Sequence, residues 1–264
     1  MLNFCRFLFV AALWLTAMLP AVATSKPAEV MLFQGGQEAD GSYSLGLEIR
    51  LAPGWMTYWR KPGEAGIAPQ FKTDQSENLK SFEVLFPAPK IFHEGGYATL
   101  GYENRVIFPL RIAPKDFAKP VTLRMSVDFG VCEKICLPQS YIFNDVLSKA
   151  ANAAQRPLII KAVKELPKRD DAALSEATIK NAETVSVSFS LKGKRQDSFA
   201  LMELTGDETV YMATQKENAA AFTFILPKMP AEPLHARITV VDVTKAFYAE
   251  KILNFRYLTK KQGE

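Results

Sequence analysis

The chain has 264 residues, with 32 Lys and Arg against 28 Asp and Glu, and its basic runs, "KGKR" and "TKKQ", are short and scattered. That distribution argues against nucleic-acid binding, which needs a clustered basic face. The length suits two domains of about 100–120 residues as well as one, and either can bury a core without cross-links.

In chain order, the first element is an export signal. Arg6 precedes the apolar run "FLFVAALWLTAML", and "PAVATS" comes next with Ala21 and Ala23 in the A-x-A arrangement. Charge, apolar run and small-residue site in that order predict a secretory signal peptide over residues 1–23, cleaved after Ala23. The run is short for a bilayer span of roughly 20 residues, so no stable membrane insertion is expected after cleavage. Strands dominate the first half of the mature chain. "SLGLEIRL" puts Leu45, Leu47, Ile49 and Leu51 on one face, and "VTLRMSVDF" does the same with Val121, Leu123, Met125, Val127 and Phe129. "FEVLF" and "VIFPLRI" are short β-rich runs, and "APG", "KPGEAG", "PAPK", "HEGG" and "APKDFAKP" punctuate them. Short alternating strands between Gly/Pro turns predict a β-sandwich.

From about Tyr141 the composition turns to Ala, Lys and Leu, which predicts one or two helical pieces, interrupted at Pro157 and ended near Pro167. Alternation returns in "TVSVSFSL", "FALMEL", "AFTFIL", "ARITVVDV" and "AFYAEKILNF". The expected architecture is therefore mainly all-β: two immunoglobulin-like β-sandwich domains, 24–147 and 181–264, joined by a helical connector over 148–180.

The chemistry concentrates in "DFGVCEKICLPQS". The chain has three cysteines, Cys5, Cys132 and Cys136. Cys5 lies in the expected signal peptide, so two remain, and an exported setting predicts a disulfide between them. On one extended strand their Cα atoms would be about 13 Å apart, whereas a disulfide requires about 4.4–6.8 Å. The chain must therefore turn at "EKI", as a three-residue hairpin loop or a single helical turn does. Continuing the alternation from Val121 to Phe129 points Cys132 away from the core, unless a bulge at Gly130 resets the count. A sulfur at the rim is accessible to exchange.

Three readings stay open on residues alone: a local staple, a redox pair, or a dithiol holding a soft ion such as Cu(I). As a staple the bond is modest, since closing five residues is worth about 2 kcal/mol. Zinc needs more ligands than this pair, and the histidines are only His93 and His235. No metal site is expected. No G-x-G-x-x-G stands between a strand and a helix, so no nicotinamide or flavin cofactor is expected either. The other unusual stretch, "GWMTYWRKPGEAGIAP", packs Trp55, Tyr58 and Trp59 ahead of a Pro-Gly turn. It reads as sandwich core or as a loop presenting the cysteines.

"GWMTYWRKPGEAG", "GYEN" at 101–104 and "VCEKICLP" at 131–138 together resemble the N-terminal periplasmic domain of the DsbD and ScsB family of thiol:disulfide interchange proteins. The C-x3-C-aliphatic-Pro form is closer to the ScsB branch, the suppressor-of-copper-sensitivity type. The resemblance implies an immunoglobulin-like domain in the periplasm. Cys132 and Cys136 would be its redox pair, passing electrons between protein thiols in a protein-disulfide reductase type of activity. The family shields its pair with a cap loop, for which Phe92–Leu100 and Arg60–Pro69 are the candidates. Trp59, His93, Tyr97, Tyr102, Phe129 and Pro138 are the expected surroundings. Full-length members add a membrane segment with cysteines and a thioredoxin-like domain, which this sequence lacks through Glu264. The expected partners are therefore separate proteins, a membrane electron relay or thioredoxin-like proteins. The alternatives are an exported binding module with an inert disulfide, or a Cu(I)-handling dithiol.

Overall fold

The structure is a computed structural model. It describes residues 26–253 except 95, 151, 176, 182–184, 192–197, 215–220, 228–233 and 243–245. The expected signal peptide, with Cys5, lies outside the described residues.

The first sandwich contains ten strands: β1 (Ala28–Gln37), β2 (Tyr43–Leu51), β3 (Met56–Gly63), β4 (Gln70–Lys72), β5 (Leu79–Val84), β6 (Lys90–Glu94), β7 (Tyr97–Glu103), β8 (Arg105–Pro114), β9 (Thr122–Cys132) and β10 (Cys136–Val146). One sheet runs β1-β2-β8-β5 and the other β10-β9-β3-β7-β6, with β4 also on β9. Every pairing in both is antiparallel. The alternating residues of β2 and β9 meet between the sheets, where Leu47, Phe108, Leu123, Val127, Phe129 and Val131 are at most 1% exposed.

Strand β2 is buried on its second face too. Helix α1 (Arg156–Lys164) lies there, and Ile159 sits so close that a Cβ on Gly35 or Gly46 would meet it at 3.0 Å. Glycine at those two positions is what lets the helix approach the sheet. The same face hides the Glu48 carboxylate, which Arg105 and Arg50 neutralise. The helix is shorter than the Ala- and Lys-rich composition predicts, and Pro157 opens it instead of interrupting it. A proline in the first turn gives up no helical hydrogen bond, and its fixed φ suits the helix. Lys161 and Lys164 in the last turn complement the helix dipole.

The second sandwich begins inside the expected connector, with β11 (Lys168–Arg169) and β12 (Thr178–Asn181). It continues through β13 (Val185–Ser190), β14 (Phe199–Leu204), β15 (Val210–Thr214), β16 (Ala221–Leu226), β17 (Leu234–Val241) and β18 (Ala246–Leu253). Its sheets run β11-β18-β17-β14-β15 and β12-β13-β16, around a core of Val187, Phe189, Phe222, Phe224, Ile238 and Val240.

The two sandwiches meet at β3. Leu201 and Val210 of the second join the core of the first. The Arg60 guanidinium stacks 3.9 Å from the Trp59 ring centroid and donates to both oxygens of Glu203. Lys61 donates to the carbonyl of Asp207.

Candidate functional site: the Cys132–Cys136 disulfide

Strands β9 and β10 form one uninterrupted hairpin, from Cys132 opposite Cys136 to Thr122 opposite Val146. No bulge forms at Gly130, so the strand alternation carries through to Cys132. Just beyond the ladder, the Leu147 N–H donates to the Val121 carbonyl at 2.9 Å. The odd positions of β10 are therefore the hydrogen-bonded pairs, and the even ones, Cys136 included, are not. Non-hydrogen-bonded pairs bring Cα atoms closest, about 4.5 Å. Cys132 and Cys136 stand 4.2 Å apart and are disulfide-bonded. "EKI" is the three-residue loop between them.

Both sulfurs lie on the sheet face opposite the core, but they are not equally open. Cys132 is 7% exposed, packed with Met56 and Tyr58 of β3 and with Phe92 of β6. Met56 pairs directly with Cys132 across the sheet. Cys136 is exposed, as is Ile135 beside it. The Tyr58 hydroxyl is 3.1 Å from Cys136 Sγ.

Tyr58 is held by its neighbours. A Cβ on Gly66 would lie 2.5 Å from its ring, and one on Gly130 would lie 3.1 Å away. Gly66 has φ +126°, a backbone that side-chain-bearing residues rarely adopt. It lets the turn that follows β3 pass close to the tyrosine ring. Thr57 Oγ1 donates to the Gly130 carbonyl at 2.8 Å, which ties β3 to β9 just below the disulfide. Both candidate cap segments are present and joined. The Ala98 N–H donates to Glu64 Oε2 at 3.1 Å, and Gly63 pairs with Thr99.

The expected surroundings divide into two groups. Trp59, Tyr102 and Phe129 lie in the core between the sheets, on the face away from the sulfurs. Burial pushes the Tyr102 phenol well above its usual range, and its hydroxyl donates to the Pro87 carbonyl at 2.8 Å. Trp59 Nε1 has no hydrogen-bond partner among the described residues. His93, Tyr97 and Pro138 are on the surface, with Pro138 two residues beyond Cys136 on β10. Among the described residues, Met56 and Tyr58 form an apolar cluster with Cys132, Phe92 packs against that cluster, and the Tyr58 hydroxyl reaches Cys136. Alternation along "MTYW" separates Tyr58 from Trp59, but which face meets the cysteines depends on the β3–β9 register.

The site is thus a disulfide at the tip of a sandwich hairpin, with one sulfur buried and the other exposed. Residues 24–148 match the family "Thiol:disulfide interchange protein DsbD, N-terminal" and belong to it. Among solved structures, the chain is similar to the N-terminal periplasmic domain of ScsB from Proteus mirabilis. The TM-score is 0.68 at 20% identity, covering 87% of this chain and 94% of that one. That likeness establishes a shared fold across both sandwiches. The BSP domain of a biofilm associated protein covers 88% of this chain at TM-score 0.24 and 9% identity, too distant to carry weight. No curated protein matches the chain by sequence.

Proposed function

We propose that this chain exchanges its disulfide with protein dithiols in the periplasm, and that Cys136 is the sulfur its partners reach. The observation that carries this is the unequal burial of two directly opposed cysteines: Cys132 is 7% exposed, and Cys136 stands open beside Ile135. In the reductive half-reaction a partner thiolate attacks Cys136 Sγ. The Cys132–Cys136 bond breaks, and Cys132 leaves as a thiolate that takes up a proton. The partner's second thiolate then attacks its own sulfur in the mixed disulfide, and Cys136 departs as a thiolate. Two electrons and two protons have moved, the partner is oxidised, and the pair is reduced. The reverse sequence hands the electrons on. The partners are thioredoxin-like proteins or a membrane relay, as the family's interchange role implies.

Phe92, packed on Met56, Tyr58 and Cys132, serves in this reading as the cap. It keeps small oxidants and thiols from Cys132 while leaving Cys136 presented. Export follows from the leader over residues 1–23, and intact mass of secreted protein should show an N-terminus at Thr24. Among the described residues no helix is long and apolar enough to cross a membrane.

The test is trapping. Cys132→Ala should accumulate thiol-sensitive mixed disulfides in periplasmic extract, because the resolving thiol is gone, and Cys136→Ala should not. Equal trapping by both variants, or by neither, would overturn the assignment.

A further inference from the structure

Strand β10 is an edge. It ends its sheet, and among the described residues no strand pairs with its outer side. The register that directs its odd residues to β9 directs the backbone groups of Cys136, Ser140, Ile142, Asn144 and Val146 outward. Pro138 lies in the same set. A proline is tolerated in a strand where its missing N–H would have faced solvent, and among the described residues its outward carbonyl accepts the side-chain amide of the neighbouring Gln139, at 2.9 Å.

Proteins blunt such edges with lysines, prolines, bulges or short strands, and Pro138 is one such device, taking a single outward donor from this edge. Here the edge spans Cys136–Val146 with no lysine or arginine in "CLPQSYIFNDV" and no break in register. Ile142 and Val146 stand 73% and 61% exposed along it. A long, flat edge without cationic side chains and with exposed apolar ones is a template for another extended chain.

We propose that β10 is the docking strand for the thiol partner, which adds an extended, cysteine-bearing segment antiparallel to it. The proposal rests on the exchange reading above and specifies its recognition. Continuity with the sulfur selects this occupant. On the outer side Cys136 occupies a hydrogen-bonded position, and the residue opposite such a position has its Cα about 5.5 Å away. That separation falls inside the 4.4–6.8 Å a disulfide accepts, so a cysteine there is at bonding distance from Cys136. The direction is also right. The Cys132–Cys136 bond runs across the strands from β9 to β10, and its continuation leads to the outer edge. A thiolate there lies in line with the bond it must break, with Cys132 as the leaving group. The contact is short, as redox encounters are.

The probe is a twelve-residue Thr/Val-rich peptide with its one cysteine next to last, so that the ten residues before it run antiparallel along Cys136–Val146, activated as its thionitrobenzoate disulfide. It is reacted with the Cys132→Ala protein, and released thionitrobenzoate is read by absorbance. A twin peptide carries N-methyl groups on alternate amides, which blocks strand pairing from one edge. The parent peptide should react about tenfold faster than the methylated twin, the equivalent of one or two net hydrogen bonds. Adding Ile142→Pro or Asn144→Pro, each removing one outward donor as Pro138 does naturally, should slow the parent peptide. Neither should change the reaction with a symmetric aromatic disulfide. Equal rates for the two peptides on the protein without those prolines would overturn strand docking while leaving exchange intact. If even the aromatic disulfide fails to react, both readings fall. A concentration-dependent dimer in sedimentation without peptide, lost in Ile142→Pro, would mean that a second copy covers β10, and would also overturn the proposal.

Discussion

Replacing Tyr58 with phenylalanine removes the hydroxyl beside Cys136 and keeps the ring. The ring is 3% exposed and wedged against Gly66 and Gly130, so Phe keeps the packing and loses only the hydroxyl, 3.1 Å from Cys136 Sγ. That hydroxyl matters most when Cys136 leaves a mixed disulfide, because the sulfur then carries a full negative charge. A hydrogen bond to a charged group is worth about 1.5–3 kcal/mol. Sulfur is a weak acceptor, so the lower end applies, and about 1.4 kcal/mol corresponds to tenfold in rate. The expected result for Tyr58→Phe is a resolution step about tenfold slower, read in the Cys132→Ala background by stopped-flow as a dithiol peptide joined to Cys136 closes its own disulfide and expels the Cys136 thiolate. The thermal midpoint should move by only a few degrees. Wild-type resolution in a folded variant would refute the role given to the hydroxyl. Loss of rate together with loss of fold would refute the packing reasoning instead.

The Cys132→Ser, Cys136→Ser double variant should stay folded. The five-residue closure is worth about 2 kcal/mol, comparable to one well-buried Leu or Phe, so a calorimetric midpoint lower by about 4–8 °C is expected, and outright unfolding would favour the staple. Gly66→Ala should be worse for exchange than Tyr58→Phe, since its new methyl meets the tyrosine ring at 2.5 Å on a backbone of φ +126°; it should lower both the exchange rate and the melting midpoint. Asp40 is held down to about 2 by Ser42, whose hydroxyl and N–H donate to it, with Arg111 on its other oxygen. A carboxyl depressed in the folded state stabilises fully above its unfolded value, near 3.8, and loses that contribution as pH falls through about 2. The midpoint difference between wild type and Asp40→Asn should therefore shrink across that window, which a pH series of thermal melts would show.

Strand content is legible because both sandwiches have one buried face, and the period of two leaves its mark in "SLGLEIRL", "VTLRMSVDF" and "TVSVSFSL". The turn at "EKI" is legible from arithmetic on strand rise. Continued alternation puts Cys132 on the outer face, where it is found, but implies an open sulfur. Outer-face residues are open only if nothing covers them, and Met56, Tyr58 and Phe92 come from strands 30 or more positions away in sequence. Their arrival depends on strand order, which alternation does not encode. The helix departs from expectation for a different reason. The Ala- and Lys-rich composition extends well beyond Lys164, but after Lys168 the chain finds hydrogen-bond partners on β18 and then β13. Tertiary pairing outweighs a per-residue helix preference of a few tenths of a kcal/mol.

Strand β3 joins the two halves of the molecule at the point where the chemistry sits. Its first residues, Met56 and Tyr58, line the disulfide on one face. Trp59, one residue on, faces the core, and Arg60 stacks on its ring and forks onto Glu203 of the second sandwich. The Glu203 side chain is only 10% exposed, so the pair is far better shielded than a surface ion pair, and leaving that carboxylate unpartnered would be costly. The buried Trp59 Nε1, without a partner among the described residues, marks a place where polar satisfaction was given up. The stacked guanidinium offsets part of that cost from the ring face. A strand gripped at one end by a second domain has little freedom to slide at the other. Sliding by one residue would turn Tyr58 from the sulfurs into the core and Trp59 out of it. The second sandwich therefore contributes to the site without touching a sulfur, by fixing which of two adjacent aromatics faces the disulfide.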